Sequence, residues 1–197
     1  VNLRYTPRLS SVLASRLVRE PTMPGYAKIL VPTDFSPPAD AAAQLASWLA
    51  RHSGASLVLA HVLSDLHKAV HHSSLKARMD MFYGEGELLE REIREKSDAR
   101  LKHLAEQLGN GIEFRTETLL GEPFVEIIHA VQQENFDLVM MGTRGASAWQ
   151  RILIGSTAQR LIRKCPSSVW IVKAGHSQPP KAILAPTDLS EVSRRAV

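Results

Sequence analysis

Five short apolar runs punctuate the chain: Lys28 to Pro32, Ser56 to Val62, Ile112 to Leu120, Asp137 to Met141 and Ser168 to Lys173. All but the third are continuous, the mark of strands with both faces buried. The third alternates, with Phe114, Thr116 and Thr118 on one side, and reads as a more exposed strand. Between the runs the apolar positions take a helical period. Ala42, Leu45, Ala46 and Leu49 share one face between Pro38 and His52; Leu88, Leu89, Ile93, Leu101, Leu104 and Leu108 do so between Glu85 and Leu108. Val125, Ile128 and Val131 follow Pro123, and Ala158, Leu161 and Ile162 follow Thr157.

Local signals bound these helices. Ser36 is a good N-cap with Pro37 at the first helical position. Ser53-Gly54 and Gly109-Asn110-Gly111 are stops. The charges between Glu85 and Leu108 read as the wet face of a long helix. Strands alternating with helices imply right-handed crossovers and a parallel sheet. Five β–α steps between Ala27 and Ala174 make one doubly wound α/β domain with helices on both faces.

One connection stands out from the rest. The run ending at Met141 stops at Gly142-Thr143-Arg144-Gly145; nine residues follow, and Gly155-Ser156-Thr157 then opens a helix. Glycines permit close backbone approach to a ligand and positive φ. The N–H groups at Gly155, Ser156 and Thr157, with the positive end of the helix dipole, suit an anion such as phosphate. Arg144 adds a planar, permanently charged donor. Glycines that merely serve a strand–turn–helix connection are the other reading of the same residues.

Composition narrows the classes. The 197 residues leave room for one domain and extra material. Hydrophobic and charged shares of 44% and 22% fit an ordinary soluble globular chain. The net charge of +4 comes without the aromatic-interleaved basic stripe that single-stranded nucleic acid needs, so no nucleic-acid partner is expected. No apolar run approaches the ~18 residues of a membrane span, so no membrane partner is expected. A lone cysteine, Cys165, excludes an internal disulfide and suits a reducing compartment; a cytoplasmic location is the expectation. His67, His71 and His72 include an i,i+4 pair, a metal-ligand spacing, but no carboxylate or thiolate completes a set. They read as solvated residues.

Both ends differ from the middle. Residues 1–25 are rich in Arg and Ser and broken by Pro7, Pro21 and Pro24. They read as a flexible extension, with a basic amphipathic or targeting segment as the alternative. At the other end, Ile183-Leu184-Ala185-Pro186-Thr187-Asp188-Leu189-Ser190 repeats Ile29 to Ser36 with six of eight positions identical. Residues 175–180, with Gln178-Pro179-Pro180, then form a linker. Residues 181–197 read as the truncated start of a second repeat, or as a strand that pairs with a sheet edge.

The spacing of Gly142, Gly145, Gly155 and Ser156 resembles the nucleotide-binding signature of the universal stress protein family, and the repeat resembles its tandem members. The resemblance covers Tyr26 to Ala174, about three quarters of the chain. It implies a five-stranded parallel sheet in the order 3-2-1-4-5, with Thr33-Asp34 and Gly142 at the carboxyl ends of the two strands that flank the switch point. It further implies that Asp34 accepts hydrogen bonds from the nucleoside, with Pro32 and Thr33 shaping that wall. Val62 would contact adenine through its backbone. Met141, Gly142, Arg144 and Gly145 would bracket the ribose and first phosphate, and Gly155, Ser156 and Thr157 the outer phosphates. From its residue type alone, Asp34 is equally a turn residue bonding nearby backbone N–H groups.

The resulting expectation is a stress-response regulatory protein that binds ATP, with or without Mg2+, and hydrolyses it very slowly or not at all. There is no G-x-x-x-x-G-K-[ST] loop, and the resemblance puts Asp34 at the nucleoside end. At most a weak ATPase or autophosphorylation is expected. The alternative is a nucleotide-independent interaction module with a vestigial pocket, dimerising through residues 168–173 on an edge strand, as the resemblance implies. A hydride or flavin enzyme is disfavoured, because no G-x-G-x-x-G follows the first strand.

Overall fold

The computed structural model describes residues 25–64, 85–109, 111–143, 154–188 and 190–194. Strand β1 (Lys28–Pro32) is apolar along almost its whole length because it lies at the centre of the sheet. It pairs in parallel with β2 (Ser56–Leu63) on one side and β4 (Leu138–Gly142) on the other. Beyond these, β3 (Phe114–Leu120) pairs with β2, and β5 (Ser168–Val172) with β4. The order is β3-β2-β1-β4-β5, as the resemblance implied.

Alternation along the inner strands divides the core in two. Ile29, Val31, Leu57, Leu59, Leu138 and Met140 meet helices α1 (Pro37–Ser53) and α2 (Glu85–Leu108) on one face. Leu30, Val58, Ala60, Val139 and Met141 meet α3 (Pro123–Glu134) and α4 (Ser156–Lys164) on the other. Five β–α steps were expected; among the described residues four helices cover the sheet, and β5 closes it without a helix of its own. The helix stops follow the local signals. Gly54 takes φ 75 and donates to Ala50 O at 2.8 Å, an αL cap that only glycine adopts without strain.

Polar groups fasten the elements that the core does not. At the amino end of the sheet the Asp137 carboxylate accepts the N–H groups of Ala27 and Lys28, each at 2.8 Å. Glu134 pairs with Lys28 at 2.6 Å and with Arg115 at 2.5 Å. The hydrogen bonds from Arg115 and then Lys28 hold the Glu134 carboxyl below its ordinary range. On the edge strand β3, Thr118 donates to Asp98 at 2.6 Å and lies 3.0 Å from the buried Ser97 hydroxyl, which ties α2 to the sheet.

Two expectations change here. Ser36 occupies the N-cap position of α1, but its hydroxyl makes no cap bond; it donates to Asp34 Oδ1 instead. Residues 181–188 pair with no strand of the sheet, and Ile183 and Leu184 are 83% and 90% exposed. Edge pairing is therefore not how this segment is placed; a single turn, α5 (Glu191–Arg194), follows it. His67, His71 and His72 lie outside the described residues, as does the extension apart from Gly25. Among the described residues no helix is long and apolar enough to cross a membrane.

Candidate functional site

The connection after β1 runs toward α1 and that after β4 toward the opposite face, so their carboxyl ends flank an open crevice. A cavity of about 630 Å³ occupies it. Pro32, Thr33 and Asp34 form one wall, Val62 and its neighbour His61 the next, Met141 and Gly142 the floor, and Gly155, Ser156 and Thr157 the far end. Nine of the eleven residues singled out in the sequence thus line one cavity; Arg144 and Gly145 lie outside the described residues. Ser36, Ala39, Pro123, Ile127, Thr143, Ile154 and Gln159 also line it.

The Thr33–Ser36 turn is held from several directions. Thr33 N–H donates to Ala60 O at 2.8 Å, its Oγ1 accepts from Phe35 N–H at 2.9 Å, and its carbonyl accepts from His61 Nδ1 at 2.7 Å. Asp34 Oδ1 accepts both the backbone N–H of Ser36 at 3.1 Å and the Ser36 hydroxyl at 2.5 Å. The carboxylate therefore does serve its own turn while it stands exposed in the cavity wall. Nearby Asp40 has its pKa raised by burial first and by the Asp34 charge second, with Arg100 partly offsetting both.

Gly142 and Gly155 each have a structural role of their own. A Cβ on Gly142 would stand 2.6 Å from Pro38 C and 2.7 Å from Ala39 N, so the close approach of helix α1 itself requires glycine here. Gly155 has φ −61, open to any residue. Its N–H donates to Thr143 O at 2.7 Å, while Thr143 N–H donates to Val172 O at 2.9 Å. That pair holds Thr143 against Gly155 and occupies the Gly155 N–H, one of the donors expected for an anion. Helix α4 starts one residue later. Its first intrahelical bond runs from Gln159 N–H to Gly155 O, so geometry gives the N–H groups of Ser156, Thr157 and Ala158 no helical carbonyl. These three residues line the cavity, and the first turn carries no acid. The site can hold an anion at that end and accept hydrogen bonds at the Asp34 end.

His61 is the polar residue that the strand pattern passed over. It interrupts the run Ser56 to Leu63 near its carboxyl end, and a lone imidazole there, two residues before the strand stops, was the available signal. Pro123, Ile127 and Gln159 carried none; the packing of α3 beside α4 brings them in.

A sequence model described as the universal stress protein family matches residues 25–173. The chain belongs to this family. It is 32% identical over 149 residues to universal stress protein MJ0531 of Methanocaldococcus jannaschii, covering 75% of this chain and 82% of the relative. Among solved structures, MJ0577 of the same organism superposes with a TM-score of 0.62 at 27% identity, covering 75% of this chain and 96% of that one. UspA of Lactobacillus plantarum does so with a TM-score of 0.58 at 28% identity, covering 75% and 98%. An Archaeoglobus fulgidus universal stress protein solved in complex with dAMP shares the fold, with a TM-score of 0.50 at 19% identity over 75% and 98% of the two chains. The five-stranded doubly wound sheet is the family's architecture.

Proposed function

We propose that this universal stress protein binds an adenine nucleotide, ATP in its fullest form, in the crevice at the ends of β1 and β4, and works as a regulatory protein rather than as a catalyst. The observation that carries this is the polarity of the cavity. One end offers the three N–H groups of Ser156, Thr157 and Ala158 at the positive end of helix α4, and the other offers the Asp34 carboxylate. An anionic tail on a hydrogen-bond-donating head matches that order. The volume of about 630 Å³ is in the usual range for a cofactor site. In this reading Pro32, Thr33, Asp34 and Val62 hold the nucleoside and Met141 and Gly142 the ribose. Arg144, Gly145, Gly155, Ser156 and Thr157 surround the phosphates, Gly155 through loop closure rather than as a donor.

Turnover is not part of the proposal. Hydrolysis requires at least ~8 kcal/mol of transition-state stabilisation over water. The carboxylate in the cavity wall is tied to Ser36 at the nucleoside end. Among the described residues no cluster of three or more His, Cys, Asp or Glu could hold a metal ion. The decisive experiment is calorimetric titration of the purified protein with ATP and AMP, followed by phosphate release. Saturable binding with negligible release is expected; absence of binding at millimolar nucleotide overturns the proposal, and brisk metal-dependent turnover overturns its non-enzymatic half.

One observation favours a second reading. Among the described residues no strand pairs with the outer edge of β5, where Val169, Trp170 and Ile171 are only half-buried and Ile162 of α4 is exposed. Pairing of residues 168–173 with a second copy would cover it, whether or not the cavity is filled. Light scattering with and without nucleotide separates the two readings: a dimer that forms equally in both, with no heat of ATP binding, supports the interaction module alone.

A further inference from the structure

Phe35 sits at φ 59, a region that bulky L residues seldom occupy. Such backbone persists only where its surroundings over-determine it, and it concentrates at ligand sites. The Phe35 ring does not line the main cavity. The Arg100 guanidinium of α2 lies 3.9 Å from its centroid, and the His61 ring lies 4.8 Å away, tilted by 42°. His61 in turn donates to Thr33 O, and Thr33 Oγ1 accepts from Phe35 N–H. The contacts close a circuit, Thr33 to Phe35 to His61 and back to Thr33. Asp34 is the exposed residue of this turn in the cavity wall, and both of its chain neighbours belong to the circuit.

The repeat supplies a contrast. Thr187-Asp188-Leu189-Ser190 carries leucine where the first copy carries Phe35. Asp188 Oδ1 still accepts Ser190 N–H at 2.9 Å, as Asp34 does from Ser36 at 3.1 Å, although residues 181–188 are exposed and belong to no strand. The Asx bond therefore forms locally and needs no aromatic ring.

We propose that Phe35 is a positioning residue, and that its stack with Arg100 and His61 sets nucleoside affinity by fixing Asp34 in the wall, coupling α2 to the ligand site. The affinity part rests on the reading that the cavity takes an adenine nucleotide. Replacing Phe35 by Leu keeps an apolar side chain and every charge but removes the π face. Phe35→Leu is expected to bind AMP roughly fivefold more weakly in calorimetric titration, with Arg100→Gln following it and Phe35→Tyr binding like the wild type. Amide exchange at residues 35 and 36 of the nucleotide-free protein should accelerate in Phe35→Leu while exchange in β1 stays unchanged. Wild-type affinity and unaltered exchange in Phe35→Leu overturn the proposal; should that variant fail to fold, Arg100→Gln carries the same test. If the wild type itself binds no AMP, the cavity reading fails and exchange alone decides: acceleration confined to residues 35 and 36 upholds the stack, and its absence overturns it.

Discussion

The imidazole of His61 donates through Nδ1 to the carbonyl oxygen of Thr33 at 2.7 Å, joining the end of β2 to the turn after β1. A carbonyl only accepts, so the proton stands on Nδ1, and both the neutral ring and the imidazolium keep the bond. His61→Phe retains a ring beside Phe35 but leaves the carbonyl without this donor. A loss of about 1 kcal/mol in urea denaturation is expected, with weaker nucleotide binding in titration. Unchanged values in both would show that the bond is incidental.

At Gly142, β4 packs closely against α1. The Cβ of an alanine would sit within 2.8 Å of Pro38 and Ala39 backbone and side-chain atoms, none of them a flexible tip. Gly142→Ala is expected to cost about 1–3 kcal/mol of stability, read by denaturation. A substitution tolerated at wild-type stability would contradict the close packing.

Gly155→Asp separates folding from binding. At φ −61 and ψ 155 the backbone suits any residue, and aspartate is a favoured N-cap, so stability should hold or rise by up to about 1 kcal/mol. The same carboxylate would stand at the anion end of the cavity, next to Ser156 and Thr157. Loss of ATP binding with an undiminished melting temperature is the expected pair of results. ATP affinity equal to the wild type would remove the helix terminus from the phosphate site.

Glu134 predicts an acid dependence. Its folded pKa lies below the ordinary 4.5 because Arg115 and Lys28 hydrogen-bond the charged form. A depressed carboxyl contributes stability above its unfolded pKa and loses it as pH falls through the folded value. Melting curves between pH 3 and 7, round limits that bracket about 4.5, should show the wild type losing more stability on acidification than Glu134→Gln. Parallel curves would mean that the ion pairs are too well solvated to matter.

Residues 178–197 pair with no strand of the sheet among the described residues, and they include the exposed Ile183 and Leu184. Deleting them is expected to change the stability of the sheet domain by less than about 0.5 kcal/mol. A larger drop in the melting temperature would reveal packing against the sheet.

How far the residues spoke for themselves differs by element. The runs at Lys28 and Ser56 announced central strands, since a strand buried on both faces has no polar side to display. The αL caps at Gly54 and Asn135 follow local chemistry, though only the first was visible as a signal. The bonds of the Ser36 hydroxyl to Asp34 and of the Gly155 N–H to Thr143 were not legible, because cap and donor roles depend on partners that a linear pattern omits. His61 was passed over because one polar residue in an apolar run has no period to give it meaning.

Local order, then, belongs to the sequence: the alternation of strand and helix, the turn at Asp34 and its copy at Asp188, and the glycine spacing that resembles one family. These rest on contacts between residues a few positions apart, which the chain encodes wherever it lies. Packing decided the rest. That Gly142 yields space to α1, that Thr143 closes on Gly155, and that Arg100 and His61 meet at Phe35 are all contacts across long stretches of chain, and they exist only once the sheet has brought its strands side by side.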